Sequence, residues 1–61
     1  MANLTAKELS SIQDQLAYEE NVIKKYKMYA QNSQDPAIKN TCEQIAQKHQ
    51  SHFATLMGHL N

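Results

Sequence analysis

Apolar residues recur every three or four positions along almost the whole chain, with one interruption near its middle. This spacing puts the apolar residues on one side of an α-helix, so the pattern predicts two helices separated by a short break. Alternating steps of three and four are also typical of the a and d positions of a heptad repeat. The positions of this stripe are Leu9, Ile12, Leu16, Glu19, Ile23, Tyr26 and Ala30, followed by Ile38, Cys42, Ile45, His49, His52, Leu56 and His59.

Capping residues mark the start of both helices. Thr5 and the glutamate three residues later have the spacing of a capping box, which predicts a first helix over about residues 6–32. Asp35 followed by Pro36 predicts the N-cap and first turn of a second helix over about residues 36–59. Only about three residues connect the helices, so we expect an antiparallel hairpin of the all-α class.

One hairpin of this size cannot bury a core large enough to be stable alone. A chain of 61 residues buries only about 60% of the surface that it exposes when unfolded. Cys42 is the only cysteine, which excludes a disulfide within the chain. We therefore expect two copies of a single 1–61 domain to pair as a homodimeric four-helix bundle. Further apolar residues widen the stripe beyond what a two-stranded coiled coil needs, namely Val22, Tyr29, Ala46, Phe53 and Leu60.

Polar residues in the stripe are the strongest candidates for chemistry. If the turn is centred near residue 34, Glu19 faces His49, and His52 lies one helical turn further along, opposite Leu16. A buried carboxylate must pair, become protonated or bind a cation. A twofold axis through the middle of the dimer would bring the same residues of both copies together. The expected cluster then contains two glutamates and four histidines.

Two interpretations of Glu19, His49 and His52 remain open. In the first, they form a structural polar layer that fixes the register and orientation of the dimer. In the second, they bind a divalent transition metal such as Zn, Fe or Mn, for which carboxylate and imidazole are suitable ligands. Di-iron bundles contribute four glutamates, whereas this dimer would contribute two, so one ion or none fits better than two.

Composition argues against several classes of function. Six basic and six acidic residues give a net charge of zero, so neither nucleic acid nor an anionic membrane is an expected partner. No apolar run could span a bilayer, and the N-terminal Met-Ala-Asn-Leu-Thr lacks the features of a secretory leader, which predicts a cytoplasmic protein.

Cys42 is expected to be a small core residue. No nucleophile–base pair or phosphate-binding loop is visible, so we expect no catalytic or cofactor-binding residues and no enzyme.

Several motifs together resemble a known family. They are Leu-Thr-Ala-Lys-Glu-Leu at 4–9, the segment from Glu19 to Tyr26, the Gln-Asp-Pro turn, and Ile-Ala-Gln-Lys-His-Gln-Ser-His at 45–52. From Leu4 to Leu60 the chain resembles the coat F family of small spore coat proteins from spore-forming Firmicutes. The resemblance implies a ferritin-like helical fold and a place in the spore coat or the sporulating mother cell. It implies no established reaction.

The favoured hypothesis is therefore a structural or interaction protein whose partners are a second copy and other spore coat proteins. Longer members of the family carry two hairpins in one chain, which a dimer of this chain would reproduce. The alternative is a ferritin-like metal-binding protein, or a metalloenzyme that handles oxygen or peroxide at a dimer-centred site. The small number of carboxylates argues against the enzyme.

Overall fold

In the computed structural model, which describes residues 4–60, the chain forms two α-helices joined by a short turn. Helix α1 covers Ala6–Asn32 and helix α2 covers Pro36–Gly58, and the two helices pack against each other. The described residues contain no β-strand. The all-α hairpin predicted from the apolar stripe is therefore confirmed. Part of the N-terminal segment that lacks leader features, residues 1–3, lies outside the described residues.

Helix α2 ends one residue earlier than the sequence predicts. The prediction extends it to about residue 59, whereas the last helical residue is Gly58 and His59 is the C-cap. The His59 N–H donates to the Leu56 carbonyl, and the Leu60 N–H donates to the Met57 carbonyl, three residues back instead of four. Such bonds tighten the last turn, so the regular α-helical pattern ends at the glycine.

The capping box at the start of α1 is present as predicted. The Thr5 N–H donates to Glu8 Oε1 at 2.9 Å, and the Glu8 N–H donates to Thr5 Oγ1 at 3.0 Å. The backbone N–H of Thr5 holds the pKa of Glu8 below its ordinary value of 4.5. Two backbone donors that the helix itself cannot satisfy are thus paired.

The turn between the helices is held by side chains of its own residues. Asp35 Oδ1 accepts hydrogen bonds from the Ala37 N–H at 2.8 Å and from the Ile38 N–H at 3.4 Å. The Asp35 N–H in turn donates to Ser33 Oγ at 3.2 Å. Pro36 occupies the first turn of α2, where its missing N–H would have no helical partner. This local geometry reverses the chain and sets the two helices side by side.

The fully buried apolar residues between the helices are small. Ala30, Cys42 and Ala46 are buried, and Cys42 is a free thiol, as expected of a small core residue. Four predicted stripe positions, the apolar Leu9 and Ile38 and the polar His52 and His59, are exposed because a single layer of two helices covers only one side of the stripe. The larger stripe residues that are half-buried are Ile12, Leu16, Ile23, Tyr26, Ile45 and Leu56.

One side of the seam between the helices is polar. A groove of about 350 Å³ runs along it, with Ala30 and Ala46 at its floor. Its other lining residues carry charged or amide groups, which water can solvate. We call this side the polar face, formed by Lys27, Gln31, Lys39, Glu43, Gln47 and Gln50.

The opposite side of the seam is apolar. A groove of about 300 Å³ is lined there by Tyr26, Ile38 and Ile45, among others. On α1 the side chains one helical turn from Tyr26 continue this surface. One of them is Tyr29, whose ring meets the Tyr26 ring edge to face with the ring centroids 5.6 Å apart. On α2, steps of seven residues keep a residue on the same side of the helix. We call this side the apolar face, formed by Tyr18, Val22, Tyr26, Tyr29, Ile38, Ile45 and His52.

Replacing Thr5 by alanine removes one acceptor of the capping box. We expect the free energy of unfolding to fall by about 1 kcal/mol, because one N-terminal N–H of the helix loses its side-chain partner. Urea denaturation at a fixed chain concentration measures the change. The matched control is Ser10→Ala, which alters an exposed hydroxyl inside α1 and should be neutral or slightly stabilising. Equal destabilisation by both variants would contradict the role of the cap.

Candidate metal centre

The middle of the hairpin contains a buried carboxylate. Glu19 is the central residue of α1 and is 3% exposed. It lies on the side of α1 that faces α2, so its carboxylate enters the seam between the helices. There Oε1 of Glu19 contacts Nδ1 of His49 at 2.5 Å. Glu19 and His49 therefore face each other across the two helices, as the sequence predicts.

The second histidine reaches the same carboxylate oxygen. His52 Nδ1 lies 3.4 Å from Glu19 Oε1, although the sequence places His52 opposite Leu16. Side chains of a helix lean toward its N-terminus, so in this antiparallel pair the His52 side chain leans toward the turn and the Glu19 side chain leans away from it, which brings the two together. The two rings meet edge to face, with centroids 5.2 Å apart and planes at 76°. His52 remains half exposed, with 49% of its side chain accessible.

The other carboxylate oxygen has a partner that the sequence reasoning missed. Gln15 Nε2 donates a hydrogen bond to Glu19 Oε2 at 2.9 Å. Gln15 stands four residues before Glu19, a spacing at which helical side chains are neighbours. That spacing was the available signal, but Gln15 lies outside the apolar stripe. Its amide leaves Oε1 as the carboxylate oxygen directed at the two histidines.

These contacts favour the ionised form of the buried glutamate. The hydrogen bond from His49 is the largest influence and holds the pKa of Glu19 below its ordinary value of 4.5. Burial opposes this effect, whereas Gln15 and His52 add to it as hydrogen-bond donors. Within the described residues, no buried side-chain nitrogen or oxygen lacks a hydrogen-bond partner. The polar layer is therefore satisfied within one hairpin.

Glu19, His49 and His52 lie close enough to hold a metal ion. One potential ligand atom from each residue lies within 4.8 Å of the other two. Two ligands bound at about 2.1 Å in tetrahedral geometry are about 3.4 Å apart. The distance between Glu19 Oε1 and His52 Nδ1 equals this value, at 3.4 Å. The contact between Glu19 Oε1 and His49 Nδ1, at 2.5 Å, is shorter than this separation and also shorter than an ordinary N–H···O hydrogen bond, so these two atoms pair with each other directly.

The other candidate residues of the sequence lie away from this cluster. Cys42 is buried beside the turn end of the apolar groove, and His59 is an exposed C-cap at the opposite end of α2. Neither helix is long and apolar enough to cross a membrane. No family model, curated protein or solved structure matches the chain.

The lowered pKa of Glu19 makes stability depend on pH in a defined direction. A carboxyl whose pKa is depressed by folding stabilises the fold at pH values above 4.5, its ordinary value, and this contribution is lost as pH falls through the lower folded value. We expect the melting temperature of the wild type to fall over that acidic range. Glu19→Gln should flatten the fall, and the remaining slope should include the contribution of Glu8.

Thermal melts from pH 7 to pH 2, followed by circular dichroism, measure this slope. The matched control is Glu20→Gln, which removes an exposed carboxylate that contacts only Lys24 on the helix surface. The control should keep the wild-type profile. A Glu19→Gln profile with the full wild-type slope would show that the buried carboxylate does not contribute to acid unfolding.

Proposed function

We propose that the chain is a structural or interaction protein that acts as a homodimeric four-helix bundle, like the hairpin units of the spore coat family that it resembles. The observation that carries this proposal is the apolar face. Tyr18 is 56% exposed and Ile38 is 53% exposed in the single hairpin, and both belong to that face. Covering it with a second copy would turn a two-helix layer into a bundle with an interior.

The accessible surface of the hairpin supports this proposal. A monomeric globular protein of 7.0 kDa exposes about 4,000 Å². This chain exposes 4738 Å². The surplus of about 700 Å² is close to the roughly 800 Å² that each partner contributes to an interface of standard size. An interface of standard size on the apolar face would therefore be enough to remove the surplus.

The composition of the apolar face also suits a twofold interface. In such an interface each patch meets a copy of itself, so a charged patch would meet its own charge. The seven residues that define the apolar face include no lysine, arginine, aspartate or glutamate. The lysines and the glutamate of the polar face lie on the other side of the hairpin and would stay in water. Burial of these seven residues themselves therefore removes no formal charge from solvent, and Lys25 and Lys48, one helical turn from members of the face, are the charged side chains that border it.

The mid-helix polar layer has a clear structural role in this bundle. The carboxylate of Glu19 accepts hydrogen bonds from α1 and α2 at once, through Gln15 and His49. Sliding one helix along the other would leave the buried carboxylate without its donors, which is unfavourable. The layer thus opposes alternative registers, a use of buried polar residues that is well attested in helical bundles.

The resemblance provides the biological setting of the proposal. A rigid bundle with polar outer surfaces is suited to a building block of the spore coat that contacts itself and other coat proteins. The proposal assigns it no catalytic residues and places it in the spore coat or the cytoplasm of the mother cell.

The metal-ligand geometry supports a second candidate function. The grouping of Glu19, His49 and His52 suits a ferritin-like protein that binds Zn, Fe or Mn, or an enzyme that handles oxygen or peroxide. An enzyme of the di-iron type would need four carboxylates, whereas a dimer offers two copies of Glu19 in this layer. Metal binding is therefore a better candidate than catalysis.

Light scattering at micromolar concentration tests the dimer. The expected mass is about 14 kDa, twice the chain mass of 7.0 kDa. Ile38→Glu should shift the protein toward the monomer, because it places a charge in the apolar face. Gln47→Glu is the matched control, since it adds the same charge on the polar face and should leave the dimer intact. A folded wild-type monomer would refute the bundle.

Peroxide consumption tests the alternative. Protein loaded with Fe²⁺ should consume hydrogen peroxide no faster than Fe²⁺ alone at the same concentration, because the proposal includes no catalytic centre. Electrode measurements with the wild type and Glu19→Gln provide the comparison. A rate at least about tenfold above free iron that is lost in Glu19→Gln would favour the metalloenzyme.

A further inference from the structure

The position of the polar layer along the helices brings two copies of it together in a dimer. Thirteen residues of α1 precede Glu19 and thirteen follow it. A twofold axis parallel to the helices keeps every residue at the same level in both copies. A twofold axis perpendicular to the helices and through their centre makes the helices of the two copies run in opposite directions. It still keeps the residues at the middle of the helices, including Glu19, at the same level in both copies. In either fully overlapping dimer, the two layers face each other.

His52 is the member of the layer that points toward the second copy. It follows Ile38 and Ile45 at intervals of seven residues, so it shares their side of α2. Its side chain is 49% accessible, whereas that of Glu19 is 4% accessible. His52 therefore has a ring that a partner hairpin or an ion between the hairpins can contact.

The distances from Glu19 Oε1 to the two histidines distinguish metal ligands from supporting residues in the polar layer. Glu19 Oε1 and His52 Nδ1 have the separation of two neighbouring ligands on a tetrahedral ion, at 3.4 Å. His49 is too close to Glu19 Oε1 to be a third ligand without moving, and its hydrogen bond uses only one lone pair of that oxygen. The second lone pair remains for an ion.

Charge limits the number of ions in the dimer. Two ionised copies of Glu19 carry two negative charges, which one divalent cation neutralises. A second divalent cation would leave two positive charges in a buried layer, where uncompensated charge is strongly unfavourable. The layer therefore suits one ion for every two chains.

We propose that the homodimer binds one divalent transition-metal ion of the zinc type between its two hairpins, held by Glu19 and His52 of both copies. This proposal rests on the proposed dimer. His49 and Gln15 are positioning residues that donate to the carboxylate and direct Oε1 at the ion. Two nitrogens and two oxygens in tetrahedral geometry favour zinc over iron and manganese, which suit sites with more ligands.

Titration of the dimer with Zn²⁺ tests the stoichiometry. The protein is prepared without a metal-affinity step, stripped with EDTA, and titrated in a calorimeter while its mass is followed by light scattering. We expect saturation at one zinc ion for every two chains. With Co²⁺ in place of Zn²⁺, the strong visible absorption of a tetrahedral site should appear at the same ratio.

Variants separate the ligands from the positioning residues. His52→Ala should abolish saturable binding, because it removes two of the four ligands. Gln15→Ala should keep the stoichiometry and weaken affinity by about 10–100-fold, the usual effect of removing an outer-shell partner. His59→Ala changes an exposed histidine outside the layer and should bind like the wild type.

Two kinds of result distinguish this inference from the proposed dimer. Saturation at one ion per chain, binding unaffected by His52→Ala, or the absence of saturable binding would overturn the shared site. If the mass stayed at about twice 7.0 kDa in those experiments, the dimer proposal would still hold. A monomer with and without zinc would overturn both proposals.

Discussion

The hydrogen bond between the Glu19 carboxylate and the His49 ring is the contact on which the arrangement of this hairpin depends. It joins the two helices at their middle, where a carboxylate that is 3% exposed must find donors inside the protein. One donor comes from each helix, because Gln15 donates from α1 and His49 from α2. The relative position of the helices along their axes is therefore fixed by a requirement for hydrogen bonds. Apolar packing alone would tolerate shifts in register more readily.

The size of the seam residues explains why one hairpin leaves its apolar face uncovered. Ala30, Cys42 and Ala46 are small, so they bury little apolar area at the contact between the helices. Larger residues such as Tyr26 and Ile45 flank this seam and are only half-buried. Hydrophobic stabilisation scales with the apolar area removed from water, so part of the stabilisation that these side chains could provide is not realised in the single hairpin. The incomplete core of the single hairpin is thus a consequence of the small side chains at its seam.

Local sequence signals predicted the fold well and the site in part. The capping box at Thr5 and the Asp35-Pro36 turn are short-range patterns, so the helix starts could be predicted from them. The facing of Glu19 and His49 followed from counting outward from the turn. Gln15 was missed because it lies outside the apolar stripe, and the reach of His52 depends on side-chain direction, which spacing does not encode. To predict which side of the seam is polar and which is apolar, one also needs the packing angle of the helices, which only the structure provides.

The structural and metal-binding interpretations of the polar layer are compatible with each other. The hydrogen bonds from Gln15 and His49 already satisfy the Glu19 carboxylate, so the hairpin does not need an ion to bury it. An ion that used the free lone pair of Oε1 would leave the His49 and Gln15 hydrogen bonds in place, as outer-shell partners do in other metal sites. It would displace only the longer contact with His52, whose ring is half exposed. Metal binding would then strengthen the contact between two hairpins without rebuilding the layer that holds each one together.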